Sequence, residues 1–143
     1  MLAAIAVIAP ACGTGQSTPP AACLSGAERV IAALGAAPAP VQLDRDTRLS
    51  TCLRRAQRDG DLQRVGVIFT RAADGLAVQA RGSDTAAVRL GYLIAAARRG
   101  ARRTNGVARE LVRRIEQSTG LEGPPDAHRA AFERGLAAGQ RHG

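Results

Sequence analysis

From Asp84 to Gln117 the sequence keeps a single helical phase. With Arg89 at 0° and about 100° per residue, Leu90, Leu93, Ile94, Ala97, Ala101, Ala108, Leu111, Val112 and Ile115 fall within an arc of about 40–140°. Arg98, Arg99, Arg102, Arg103, Arg109, Arg113 and Arg114 lie across the opposite side, between about 180° and 340°. The phase passes through Gly100 and Asn105-Gly106, which predicts one helix of about 34 residues, roughly 50 Å long and bent at the Asn-Gly pair. Ser83 or Asp84 caps its start and Ser118-Thr119-Gly120 ends it. The alternative is a break at Thr104, whose hydroxyl can cap a new helix.

The rest of the chain also reads as helix. Ser25 and Glu28 form a capping-box pattern before Ala27, Val30, Ile31 and Leu34, with Gly35 placed to end the segment and Pro38 and Pro40 to block continuation. Asp46 is the expected N-cap of a second helix that puts Leu49, Cys52, Leu53 and Ala56 on one side and stops at Asp59-Gly60. Over Asp61–Arg81 the residues Leu62, Val65, Phe69, Ala73, Leu76 and Ala80 share an arc, favouring helix, although Val67 and Val78 fall outside it. The β-formers of 65–70 and the Asp74-Gly75 dipeptide keep a hairpin over 65–81 as the alternative. Gly123-Pro124-Pro125 is a stop and Asp126 caps a last helix. His128, Ala131, Phe132 and Gly135 form its inner face, with an Arg129–Glu133 pair outside.

Charge and composition narrow the function classes. Lys+Arg number 20 against 12 Asp+Glu, a net charge of +8, and every one of those cations is Arg. The 84–117 segment alone nets +5, from eight Arg against Asp84, Glu110 and Glu116. Guanidinium binds phosphate and carboxylate bidentately, so the seven arginines opposite the apolar arc are a candidate anion-binding face. Anionic lipid, an acidic wall polymer and an acidic protein are its candidate partners. The competing reading is an ordinary solvated face, with arginine inflated by a GC-rich genome.

A cytosolic nucleic-acid-binding role is the alternative that the charge invites, but Phe69, Tyr92 and Phe132 are the only aromatics and no helix-turn-helix, zinc-finger or RNP pattern is present. An envelope enzyme is the third reading. It lacks a visible apparatus: the two histidines, His128 and His142, stand in no metal-ligand spacing, no G-x-S-x-G turn exists, and Gly13-Thr14-Gly15 is followed by no G-K-[ST]. The expectation is no metal site, no cofactor and no catalytic residue.

The amino-terminal segment bears on location. Met1–Ala11 is apolar, short of the roughly 18 residues that span a bilayer, and fits the hydrophobic region of a secretory signal. Ala9-Pro10-Ala11-Cys12 resembles the lipobox of bacterial lipoprotein precursors. The resemblance implies cleavage before Cys12, a diacylglyceryl group on its sulfur and attachment to the outer face of the membrane. Plain secretion is the alternative. Gly13–Ala22 is uncharged and rich in Gly, Ser, Thr and Pro, the chemistry of a tether. The stretch from Thr51-Cys52-Leu53-Arg54-Arg55-Ala56 to Arg103-Thr104-Asn105-Gly106 resembles small uncharacterised actinobacterial envelope proteins.

If Cys12 carries lipid, Cys23 and Cys52 remain as an even pair. A bridge between them closes a loop of about 29 residues, worth on the order of 3.5 kcal/mol, and belongs to an oxidising compartment. The expected organisation is a signal peptide over 1–11, a flexible tether over 12–22, a helical domain over 23–139 and a disordered tail over 140–143. The expected fold is an all-α bundle of four to five helices with one long helix in its C-terminal half and one disulfide.

Overall fold

The computed structural model describes residues 17–102, 104, 106–117, 120 and 124–143. Among them the chain is all-α: α1 (Ala27–Ala33), α2 (Leu49–Arg55), α3 (Asp59–Ala80), α4 (Asp84–Ala101), α5 (Gly106–Gln117) and α6 (Asp126–His142), with 3₁₀ turns at Ala21–Leu24 and Leu34–Ala36. That is six helices rather than four or five. The extra one comes from the 84–117 segment, which is two helices.

The split lies at Thr104. Its backbone N–H and its hydroxyl both donate to the Ala101 carbonyl, at 3.1 and 2.8 Å, closing a turn where α4 ends. α5 then folds back on α3 and α4. The unbroken phase misled because α4 is no amphipathic surface helix. Gly91, Tyr92, Ala95 and Ala96 lie outside the apolar arc, yet all are buried, because α2, α3, α5 and α6 all pack on α4.

α3 is helical throughout, which removes the hairpin alternative. Leu62, Val65, Phe69, Ala73, Leu76 and Ala80 are all buried, as the periodicity predicts. Asp59-Gly60 begins this helix rather than ending α2. Asp59 and Asp61 occupy the first turn, where the helix dipole favours carboxylates, and Asp61 pairs with Arg58 at 2.7 Å.

Several local caps differ from the sequence reading. The N-cap of α1 is Gly26, at φ 98°, a left-handed conformation that suits glycine, while the Ser25 hydroxyl turns back to the Ala21 carbonyl. Gly35 sits within a 3₁₀ turn. The N-cap position of α2 is Arg48, because the Asp44 carboxylate accepts from the Asp46 and Thr47 N–H groups and sets the turn earlier. Ser83 does cap α4, accepting from the Ala86 N–H.

The C-terminal tail is ordered helix. α6 runs to His142, and Gly143 is buried with its carbonyl accepting from the Ser50 hydroxyl at 2.8 Å. Gly135, Gly139 and Gly143 recur every fourth residue against α4. A Cβ on Gly135 would run into the Val88 carbonyl, and one on Gly139 into the Tyr92 carbonyl. These glycines, of which only Gly143 falls in the expected disordered tail, are what lets the two backbones touch. At the other end, Pro19 is buried and the Ser17 hydroxyl reaches the Arg55 carbonyl at 3.5 Å, so the second half of the proposed tether packs on the domain.

Cys23 and Cys52 form the disulfide, both fully buried, with Cα atoms 5.4 Å apart. It joins the first 3₁₀ turn to α2. Beside this layer the Tyr92 hydroxyl, at the centre of α4, accepts the Val41 N–H at 3.0 Å and anchors the loop between α1 and α2.

Candidate functional site

The arginines opposite the apolar arc do not form one face. Arg98 and Arg99 leave the end of α4 in different directions: Arg98 pairs with Glu116 of α5 at 2.7 Å, and Arg99 donates to the Gln140 carbonyl of α6 at 2.6 Å. On α5, Arg113 and Arg114 share Glu110 at 2.8 and 3.4 Å. Hydrogen bonding from Arg113 holds the Glu110 carboxyl below its ordinary range, and the same contact raises Arg113. Arg102 and Arg109 are exposed. Arg103 lies outside the described residues, as do Cys12 and the segment 1–11.

A bidentate anion pocket needs guanidinium groups aimed at a common point. Here at least three of the seven are engaged by the protein's own carboxylates. Among the described residues the arrangement is a basic surface of diffuse charge rather than a built pocket.

His128 is half-buried at the edge of α6, with Nδ1 2.8 Å from an Asp84 carboxylate oxygen in the first turn of α4. It ties two helix N-termini together rather than filling an inner face. Arg129 pairs with Asp126 at 2.6 Å instead of with Glu133. Among the described residues no group of three His, Cys, Asp or Glu is placed to hold a metal ion. No helix among them is long and apolar enough to cross a membrane.

One concavity among the described residues carries no sequence forecast. α3 and α5 diverge around a cleft of about 660 Å³, floored by Leu62, Gly66 and Leu111 and edged by Val67 and Val107. Gly66 permits the floor, since a Cβ there would lie 2.9 Å from the Leu111 Cδ1. Val67 is 46% exposed and Val107 57%. The one sequence signal was that Val67 and Val78 fall off the inner stripe of α3. Val107 carried none, because its orientation depends on the break before α5.

Compared with models of known protein families, with curated proteins and with solved structures, the chain matches none.

Proposed function

We propose that this chain is an exported helical module, tethered to a membrane surface through a lipid on Cys12, that works by binding or scaffolding in the cell envelope rather than by catalysis. The observation that supports the compartment is the Cys23–Cys52 disulfide, sealed in the core with neither sulfur exposed. Such bonds persist where thiols are not continuously reduced. The lipobox-like Ala9-Pro10-Ala11-Cys12 supplies the tether.

The partner chemistry follows from the arginines. With Arg98, Arg113 and Arg114 held in place by Glu116 and a shared Glu110, attraction to an anionic headgroup, wall polymer or acidic protein is long-range and salt-sensitive. The decisive measurement is the intact mass of the protein from its native host. The expected species begins at Cys12, carries acyl chains and contains one cystine. Palmitate label should enter the natural protein and not Cys12→Ser. A full-length polypeptide with three free thiols, recovered on nucleic acid, would overturn the proposal in favour of a cytosolic basic protein.

A further inference from the structure

We propose that the α3–α5 cleft is a self-association site, which a second copy of the chain fills with the same surface about a twofold axis. The inference is independent of the compartment and of the tether.

The large hydrophobic side chains exposed among the described residues are Val67, Val78 and Val107, and all three lie on α3 and α5. Val67 and Val78 are eleven residues apart, which returns them to nearly the same azimuth on α3. Val67 and Val107 edge the cleft itself, while Val78 stands about three turns further along α3, beyond Arg71 and Asp74.

The charges around the cleft select the occupant. Asp59, Glu110, Arg71 and Arg114 line it, two acids and two bases, so it carries no formal net charge on a chain of +8. Approach of two copies is repulsive over most of the surface and neutral here. Glu110 and Arg114 already pair with each other, so an occupant meets chiefly Asp59 and Arg71, one charge of each sign, which a partner of a single strong sign cannot match.

The order of the charges then fixes the orientation. Asp59, Gln63, Val67 and Arg71 form a single ridge of residues four apart, acidic at one end and basic at the other. Asp59 and Arg71 each stand six residues from Val65, and Gln63 and Val67 each two. Two such ridges packed antiparallel at the level of Val65 bring each Asp59 to the partner's end of the ridge that bears Arg71. Ridges of this spacing interdigitate at a crossing angle of about −50°. Each Val67 then enters the cleft beside Gly66 and Leu111, and Val107 closes over it.

The test uses sedimentation velocity on the oxidised full chain carrying Cys12→Ser, which prevents cross-linking through that thiol. A reversible dimer is expected at concentrations on the order of 100 µM, as befits a small interface. Asp59→Arg and Arg71→Asp should each weaken it about tenfold or more, and the combined Asp59→Arg/Arg71→Asp variant should recover most of the loss. Val67→Arg should be monomeric. Circular dichroism and the urea midpoint, read for every variant at dilutions where all are monomeric, identify any that has lost its fold. A monomer at every concentration overturns the proposal. So does a dimer indifferent to Val67→Arg, or one that the double exchange fails to restore.

Discussion

Arg98 Nε lies 2.7 Å from Glu116 Oε1. In a continuous helix the two backbones would stand roughly 27 Å apart. This one contact places α5 alongside α4 rather than beyond it, and so creates the wall of the cleft that faces α3. The pair closes the fold-back but does not drive it, since exposed ion pairs contribute about 0–1 kcal/mol. The driving force is the burial of Ala108, Val112 and Ile115.

Leu111, the fourth apolar position on this side of α5, carries less weight than these three. Ile115 is fully buried, whereas Leu111 is half-buried over Gly66 and lines the cleft. Ile115→Ala should destabilise the fold by about 2–4 kcal/mol in urea unfolding, and Leu111→Ala by roughly half as much. Leu111→Asp, whose carboxylate can turn into the open cleft, should still fold, whereas Ile115→Asp should not. Equal losses for the two aspartates would mean that α5 is docked in a different rotation.

The seam between α4 and α6 is tested by adding one methyl group. In Gly135→Ala the new Cβ meets the Val88 carbonyl, backbone that cannot move without displacing α4. The expected loss is about 2–4 kcal/mol, at or above the upper end of ordinary overpacking. Gly60→Ala, with nothing within 4 Å of the added carbon, is the control and should be neutral or slightly stabilising. If Gly135→Ala melts like the natural protein, the helices are further apart than described.

What the sequence disclosed and what it hid follow one distinction. Patterns internal to an element were readable, the inner stripe of α3 and the Ser83 cap, and so was the one long-range pair that counting alone could supply, Cys23–Cys52 once Cys12 was set aside. Properties set by a neighbour were not. Tyr92 and Ala95 looked solvent-facing because the arc of α4 assumes one covered side, and α6 covers another. Gly135 was legible as inner face, but Gly143 looked like a disordered tail because nothing in its own segment announces a backbone pressed against it. The cleft was hidden for the same reason, since one of its walls is α5, whose separation from α4 at Thr104 the unbroken phase concealed.

Reduction should cost the domain about 2–5 kcal/mol, the ordinary range for a native disulfide in a small protein. The bond joins residues 29 apart and is fully buried, so a mild reductant should reach it only through unfolding. The expected result is a urea midpoint that falls in Cys23→Ser/Cys52→Ser. In the natural protein, the rate of thiol appearance should track the fraction unfolded. Rapid reduction in native buffer, with the melting temperature unchanged, would show the bridge to be neither buried nor structural.

Tyr92 offers an alkaline probe with little interference. It is the only tyrosine, the chain has no lysine or tryptophan, and guanidinium groups keep their protons. Burial pushes the phenol above its usual 10, opposed in part by the Val41 N–H it accepts and by the charges of Arg48 and Arg99. The folded chain thus holds a proton that the unfolded chain releases near pH 10, and the unfolded state binds fewer protons in that window. Stability from this group is complete below about pH 10 and falls as pH rises through the native value. Tyrosinate absorbance should rise with unfolding rather than before it. Tyr92→Phe should start less stable at neutral pH by about 1–3 kcal/mol, because the buried Val41 N–H loses its acceptor, yet show a flatter decline above pH 10. An absorbance midpoint near 10 in the folded protein would place the hydroxyl in water and detach the Val41 loop from α4.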